Sequence, residues 1–302
     1  MKWKEIADAT NNEGIFKAMV PEGLQLKRGD KIFTIGSCFA REIEDALSDT
    51  FAFPTFNYHV KDRESYTTRA RGIFNKFTPE SMLRELDWLQ ALTANHKAFD
   101  LVTKDYFAYD LGGDQTLDIG LHRTTPVSSR RFIERRRDIF NIYKEISTSD
   151  AVVVTLGNLE QYWLEDGRAL ESISTNKNFL KAESRALSVK KQNEDDVLEV
   201  VGRLIGIIRE INQQAKIILT VSPVPMERTE FDRHIIVENF SNKFTLVRAA
   251  KHWTEKTGNS FYFPSFEMVI FLGLEAFRED LRHVKPEVVK MIMMSFLGSV
   301  LS

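Results

Sequence analysis

Cysteine is almost absent from this 302-residue chain; Cys38 is the only one. A single thiol excludes an internal disulfide framework and a cysteine-rich metal site. The histidines are few, and no two of them stand at metal-ligand spacing, so no metal is expected. An excess of one charge is also missing. Lys plus Arg number 41 against 43 Asp plus Glu, a net charge of −2, which gives no global basis for holding nucleic acid or an anionic membrane. No run approaches the roughly 18 apolar residues of a membrane span. The stretch from Met1 to Asp8 lacks the apolar centre of a signal peptide, so the cytoplasm is the expected compartment. Internal repeats and low-complexity linkers are absent too.

What is present is an ordinary globular composition, 43% hydrophobic and 28% charged. One domain over 1–302 is expected, with a polar lead-in over 1–29 and a core over about 31–295. Ile32–Ile35, Ala151–Asn158, Lys216–Pro225 and Ser260–Pro264 read as short strands, the first three buried, with Gly157 and two prolines ending the second and third. Helical spacing follows or separates them, from Arg41, Thr78, Ser128, Asp196, Phe240 and Pro286. Phe51–Phe56 reads as a further short strand, and 96–127 as irregular or β-rich. The basic run Arg135–Arg137 reads as a solvated helix face. Strands alternating with helices predict an α/β fold, three layers deep, around a mainly parallel sheet.

The first strand ends in Gly36-Ser37 and a helix follows at once. Gly36 permits the tight bend, and Ser37 falls at the strand's carboxyl end beside a helix N-terminus. Ligands of open α/β sheets bind outside those ends. Ser37 is therefore either a helix cap or a nucleophile whose neighbouring amides stabilise an oxyanion. Gly157-Asn158 and Ser222 end two further strands and converge on the same edge. Near the C-terminus, Asp280 precedes His283 by three residues, a spacing that lets a carboxylate hold an imidazole N–H and aim the other nitrogen at a hydroxyl. The same spacing also describes a surface pair one helical turn apart.

Gly36-Ser37-Cys38-Phe39-Ala40 spells the signature of the GSCFA family, which the chain resembles. The resemblance continues at Thr155–Trp163, Leu219–Pro225, Asp232–His234 and Tyr262–Glu267, in family order over about 31–295. That family stands beside the SGNH/GDSL hydrolases, so the resemblance implies an SGNH or flavodoxin-like architecture. It implies Ser37 as nucleophile, His283 as general base and Asp280 as its orienter. The oxyanion hole would comprise Ser37, Asn75 and Asn158. Two positions depart from the superfamily pattern: Phe74 stands where a glycine is expected, and Leu159 where the asparagine is. Asn75 either donates its side-chain amide or stabilises a loop.

Other residues have competing readings. His234 follows a strand-end loop as a base or a substrate contact, and Trp163 is a sugar-stacking surface or core packing. Cys38 adjoins the serine, but neighbouring side chains in such an elbow point apart. The resemblance implies a serine esterase or O-acyltransferase acting on an acylated small molecule or glycan, with a weak lean toward polysaccharide synthesis. No cofactor is required, apart from an acyl-CoA donor if the reaction is transfer. The rival reading is a non-catalytic ligand- or glycan-binding module on the same fold. The oligomeric state is not legible.

Overall fold

The computed structural model describes residues 16, 19–54, 64, 65, 67, 70–94, 98–171 and 187–301. Strand β1 (Ile32–Gly36) runs straight into helix α1 (Cys38–Leu47). Helices α2 (Pro79–Ala94) and α3 (Phe99–Phe107) follow, then a small antiparallel pair, β2 (Ala108–Asp110) with β3 (Thr116–Asp118). Helix α4 (Ser129–Lys144) leads to β4 (Ala151–Leu156). A second small sheet comprises β5 (Glu160–Trp163), β6 (Ala169–Leu170) and β7 (Ser188–Lys191). Then come α5 (Glu194–Ile211), β8 (Lys216–Val221), α6 (Ile235–Lys256), β9 (Ser260–Phe263), α7 (Ser265–Leu272) and α8 (Pro286–Val300).

The central sheet has the order β1-β4-β8-β9, and every pairing is parallel. Gly36 lies opposite Thr155, and Leu156 opposite Val221, so the carboxyl ends share one edge. Period-two alternation sends successive side chains to opposite faces. Val152, Val154 and Leu156 join one core with Leu86 of α2, Ile139 of α4, Val201 of α5 and Leu246 of α6. Ala151 and Val153 join the other with Phe39 of α1, Met268 of α7 and Ile292 of α8. This is the three-layer α/β/α arrangement that the alternating pattern predicts.

Several expectations need correction. Of the strand expected at Phe51–Phe56, the described part pairs only at Ala52, as an isolated parallel bridge to Lys31; residues 55 and 56 lie outside the described residues. The stretch expected to be irregular contains α3. Its buried stripe includes Thr103, whose hydroxyl accepts the Trp88 indole N–H at 3.1 Å, and that polar residue breaks the apolar signature. The lead-in is not simply polar, because Val20, Leu24 and Leu26 are buried against the α8 layer.

The largest correction is Arg135–Arg137. Arg137 is exposed, but Arg135 and Arg136 are fully buried. The Arg136 guanidinium lies 3.4 Å from the Phe107 ring centre and donates to Asp118 and, at 2.9 Å, to Glu85. Lys76 Nζ completes the cluster, 2.6 Å from Glu85. Buried charges survive only when paired, and here each partner comes from a different element. The cluster fixes Lys76, whose backbone N–H donates to Gly36 O at 2.8 Å, next to Ser37.

Thr78 continues that anchor. Its Oγ1 accepts the Ser81 N–H at 3.2 Å and donates to Gln161 of β5, while the Thr78 amide donates to Ser81 Oγ at 3.4 Å. Ser81 thus takes the place that a capping box usually gives to Glu. Thr78→Ala should cost about 1–2 kcal/mol in chemical denaturation. An unchanged midpoint would mean that the cap contributes nothing.

Candidate active site

At the carboxyl edge, Gly36 has φ +152°, and a Cβ there would lie 2.5 Å from Thr155 O. Only glycine lets β1 turn this close to β4. Ser37 follows at the N-cap of α1, with its amide 3.3 Å from Thr155 O. A cap serine normally accepts from the second or third helical amide. Ser37 does not. Its Oγ makes no cap bond and has no partner, although the residue is only 2% exposed.

Two loops flank it. Lys76 binds the Gly36 carbonyl on one side. On the other, a Cβ on Gly157 would stand 3.2 Å from Ser37 Cβ and 2.7 Å from Phe77 O. Ser37, Asn75–Phe77 and Gly157-Asn158 therefore meet. Gly157→Ala should push these loops apart and lower activity about 100-fold, with displacement of about 1 Å enough to do so. Kinetics of the folded variant check this; activity within about twofold of wild type would show that the approach is not needed.

The Gly157-Asn158 peptide is pinned at both ends. Its N–H donates to Phe77 O at 2.7 Å, and the Gly157 carbonyl accepts from Lys243 Nζ at 2.7 Å. The Asn158 Oδ1 accepts the Leu159 amide at 2.8 Å and Asn242 Nδ2 at 3.1 Å. The Asn158 backbone amide is thus committed, and its side-chain amide is the donor left to the site. Asn75 is buried, and its Oδ1 has no partner. The two departures from the superfamily pattern, Phe74 and Leu159, are both buried in the core.

Asn242 and Lys243 hold the Gly157-Asn158 loop of the candidate site, and neither is among the residues that the sequence singles out. Leu246, Ala249 and Ala250 mark the buried stripe of α6, and 242 and 243 lie four and three residues before Leu246 on that stripe. A Lys on an apolar stripe was the available signal. Burial pushes the Lys243 amine down to about 7, and nearby Cys38 opposes part of that shift. No ion pair to Lys243 occurs among the described residues, so its charge is held mainly by the Gly157 carbonyl.

Asp280 and His283 occupy a tight turn closed by the Phe277–Val284 bridge, with Leu281 at φ +52°. Asp280 Oδ1 accepts the Arg282 and His283 amides at 3.0 Å each, and Oδ2 lies 2.5 Å from His283 Nδ1. The imidazole contact, then the two amides, hold this carboxyl well below its usual range. The pair lies at the surface, as its spacing also allowed, but in a turn and not on a helix. With Nδ1 on the carboxylate, Nε2 is the ring nitrogen left for other chemistry, on a side chain 49% exposed. No hydrogen bond joins it to Ser37 Oγ.

His234 caps α6, its Nδ1 accepting the Ile236 amide at 3.4 Å. Trp163 lines a separate surface pocket with Leu187 and Lys190. Ser222 is buried, its Oγ accepting the Val224 amide at 3.3 Å. Cys38 is partly exposed in the first turn of α1. His59 and His96 lie outside the described residues. Among the described residues no helix is long and apolar enough to cross a membrane.

Fold and site together define a three-layer α/β protein with a serine at the carboxyl edge of its sheet and a separate His–Asp pair. The chain belongs to the GSCFA family, whose sequence profile matches residues 31–296. Comparison with curated proteins gives no match. Among solved structures, it is similar to a carbohydrate esterase family 3 protein from Talaromyces cellulolyticus, at 10% identity and TM-score 0.39, covering 88% of this chain and 94% of that one. A family 3 carbohydrate esterase from Clostridium thermocellum gives 10% and 0.31, with 90% and 94% covered. An acetyl xylan esterase from the rumen bacterium Butyrivibrio proteoclasticus gives 10% and 0.37, with 92% and 64% covered.

Proposed function

We propose that this protein is a serine esterase or O-acyltransferase of the SGNH type, acting on an acylated small molecule or glycan through an acyl-enzyme on Ser37. The observation that carries the reading is the uncommitted Ser37 hydroxyl, buried at a helix N-terminus where a structural serine would spend it on a cap.

In this reading Ser37 Oγ attacks the acyl carbonyl and His283 Nε2 takes its proton, with Asp280 holding Nδ1 and stabilising the imidazolium. The Ser37–His283 contact forms in the substrate complex, as catalytic hydrogen bonds often tighten only there. The developing oxyanion falls to the Ser37 amide, whose bond to Thr155 is long at 3.3 Å, and to the side-chain amides of Asn75 and Asn158. His283 then returns the proton to the leaving group, the alkoxide of an ester or the thiolate of an acyl-CoA. Water accepts the acyl group in hydrolysis; a sugar hydroxyl accepts it in transfer, where an acyl-CoA thioester is the donor. Trp163 serves a glycan long enough to reach its pocket.

Intact-mass analysis after a fluorophosphonate probe tests the nucleophile. One adduct is expected on wild type and on Cys38→Ala, and none on Ser37→Ala. Folded wild type that stays unlabelled would overturn the triad and leave the binding module.

A further inference from the structure

Phe77 is the joint at which the two loops flanking Ser37 meet. Its carbonyl accepts the Asn158 amide at 2.7 Å. The same carbonyl lies 2.7 Å from where a Gly157 Cβ would stand, and Ser37 Cβ lies 3.2 Å from that point on another side. The Phe77 amide is held from behind, donating to Glu171 Oε1 at 3.1 Å. Glu171 directly follows β6, and its own amide donates to Ile119 O at 2.9 Å, so the carboxyl stands on anchored backbone. One acidic side chain thus supports the residue that supports Asn158.

That carboxyl has little to hold its charge. Glu171 is buried, Oε2 has no hydrogen-bond partner, and no ion pair to Glu171 occurs among the described residues. Lys76 acts on it, but the Lys76 amine is bound to Glu85 at 2.6 Å and to the Gly120 carbonyl. The other charged groups on the surrounding elements are committed elsewhere. Arg135 and Arg136 of α4 face Asp118, and Arg136 also holds Glu85. Arg84 of α2 donates to the Ala169 carbonyl, and Glu160 of β5 accepts from Thr229 and Glu230. Two titratable rings nearby are neutral. Burial, then Arg123 and Lys76, push the His122 imidazole down to about 3, and burial raises the Tyr143 phenol. Burial likewise pushes Glu171 up to about 7, against Lys76, the Ser81 hydroxyl and the Phe77 amide, with Glu85 adding to the rise. A glutamine would accept the Phe77 amide with no charge to bury. What a carboxyl adds is a grip that depends on charge, because an ionised acceptor makes a hydrogen bond about twice as strong as a neutral one.

We infer that Glu171 is a positioning residue whose carboxylate form seats Phe77, and through it Asn158, so that its protonation sets the activity of the Ser37 site. This inference rests on the esterase reading and adds a pH control to it. The acid form keeps one carbonyl oxygen for the Phe77 amide, a weaker acceptor. It also places a hydroxyl at the buried carboxyl, where Oε2 finds no partner.

The test compares kcat/KM in wild type and Glu171→Gln from pH 5.5 to 8.5, because the amide mimics the acid form at every pH. Titrations common to both proteins, that of Lys243 among them, cancel in the ratio. Wild type over variant should lie within about twofold of unity at pH 5.5 and rise to about 10 at pH 8.5, carried by kcat. Stability should move the other way. An unfolded glutamate titrates near 4.3, so between there and about 7 the folded wild type binds more protons and loses stability as pH rises, while the variant does not. A ratio that stays constant with pH overturns the inference. So does a variant that is less stable than wild type at pH 8.5 by more than at pH 5.5, since that is the loss of a structural contact. If no ester is turned over, the esterase reading fails, and backbone amide NMR still decides the coupling. Phe77 and Asn158 signals that shift with a midpoint near 7 in wild type, but not in Glu171→Gln, keep it; signals that titrate alike in both proteins, or in neither, overturn it.

Discussion

Ser37→Ala is expected to lower ester turnover by about 10,000-fold or more, with folding intact. In the proposed reaction the serine oxygen carries the acyl group, so no neighbour replaces it. Cys38 starts α1 on the adjacent position, and an elbow points consecutive side chains apart. The stability of the variant is informative as well. The Ser37 hydroxyl is buried without a partner, so removing it relieves a desolvation cost and should leave the melting temperature unchanged or slightly higher. A cap serine would behave in the opposite way, because its loss costs about 1 kcal/mol of helix stability. Steady-state kinetics and thermal denaturation on one preparation thus separate the two readings. His283→Asn should match Ser37→Ala in size, and the double variant should be no slower than either, since a nucleophile and its base act as a unit. Turnover in Ser37→Ala near the wild-type level would remove the serine from the chemistry.

The legible parts of this chain are those whose information is local. The change from strand to helix spacing at Gly36-Ser37 lies within about a dozen residues, and so does the Asp280–His283 pairing. Parallel strands buried on both faces announce themselves as apolar runs, which is why β4 and β8 are readable. Arg135 and Arg136 were not. Asp118 and Glu85 lie 18 and 51 positions before Arg136, so nothing nearby distinguishes these arginines from a solvated basic face. Helix α3 was hidden by a buried Thr103 whose partner, Trp88, belongs to another helix. Meeting of the Ser37 and Asn158 loops is readable only as a shared edge, and Asn75 joins them only through the family resemblance. The peptide geometry that commits the Asn158 amide to Phe77 depends on packing between loops some 80 residues apart.

Lys243→Met should make the protein more stable and less active at once. The amine is buried in α6, and burial holds it down to about 7. An unfolded lysine titrates near 10.4. Between those values the unfolded chain binds more protons, so wild-type stability rises with pH across that window. Below about 7 the folded protein carries the full cost of a buried ammonium. Methionine fills similar volume without that charge, so at pH 6 the variant should gain about 1–4 kcal/mol, by analogy with apolar replacement of buried charges. The gain should shrink as pH rises toward 10. Activity moves the other way. Lys243 Nζ is the partner of the Gly157 carbonyl, and it holds the peptide that packs against Ser37 and carries Asn158. Releasing that peptide should cost about 10- to 100-fold in kcat with a smaller change in KM, because in the proposed reaction the loop acts on the developing oxyanion. Urea denaturation at pH 6 and 9, paired with kinetics, checks both signs. A variant that is destabilised at pH 6 would make Lys243 a structural residue of the α6 packing. A variant more stable yet fully active would leave the charge with no catalytic role. Stability given up at a single buried cation, recovered by one neutral substitution, is the signature of a group kept for the reaction.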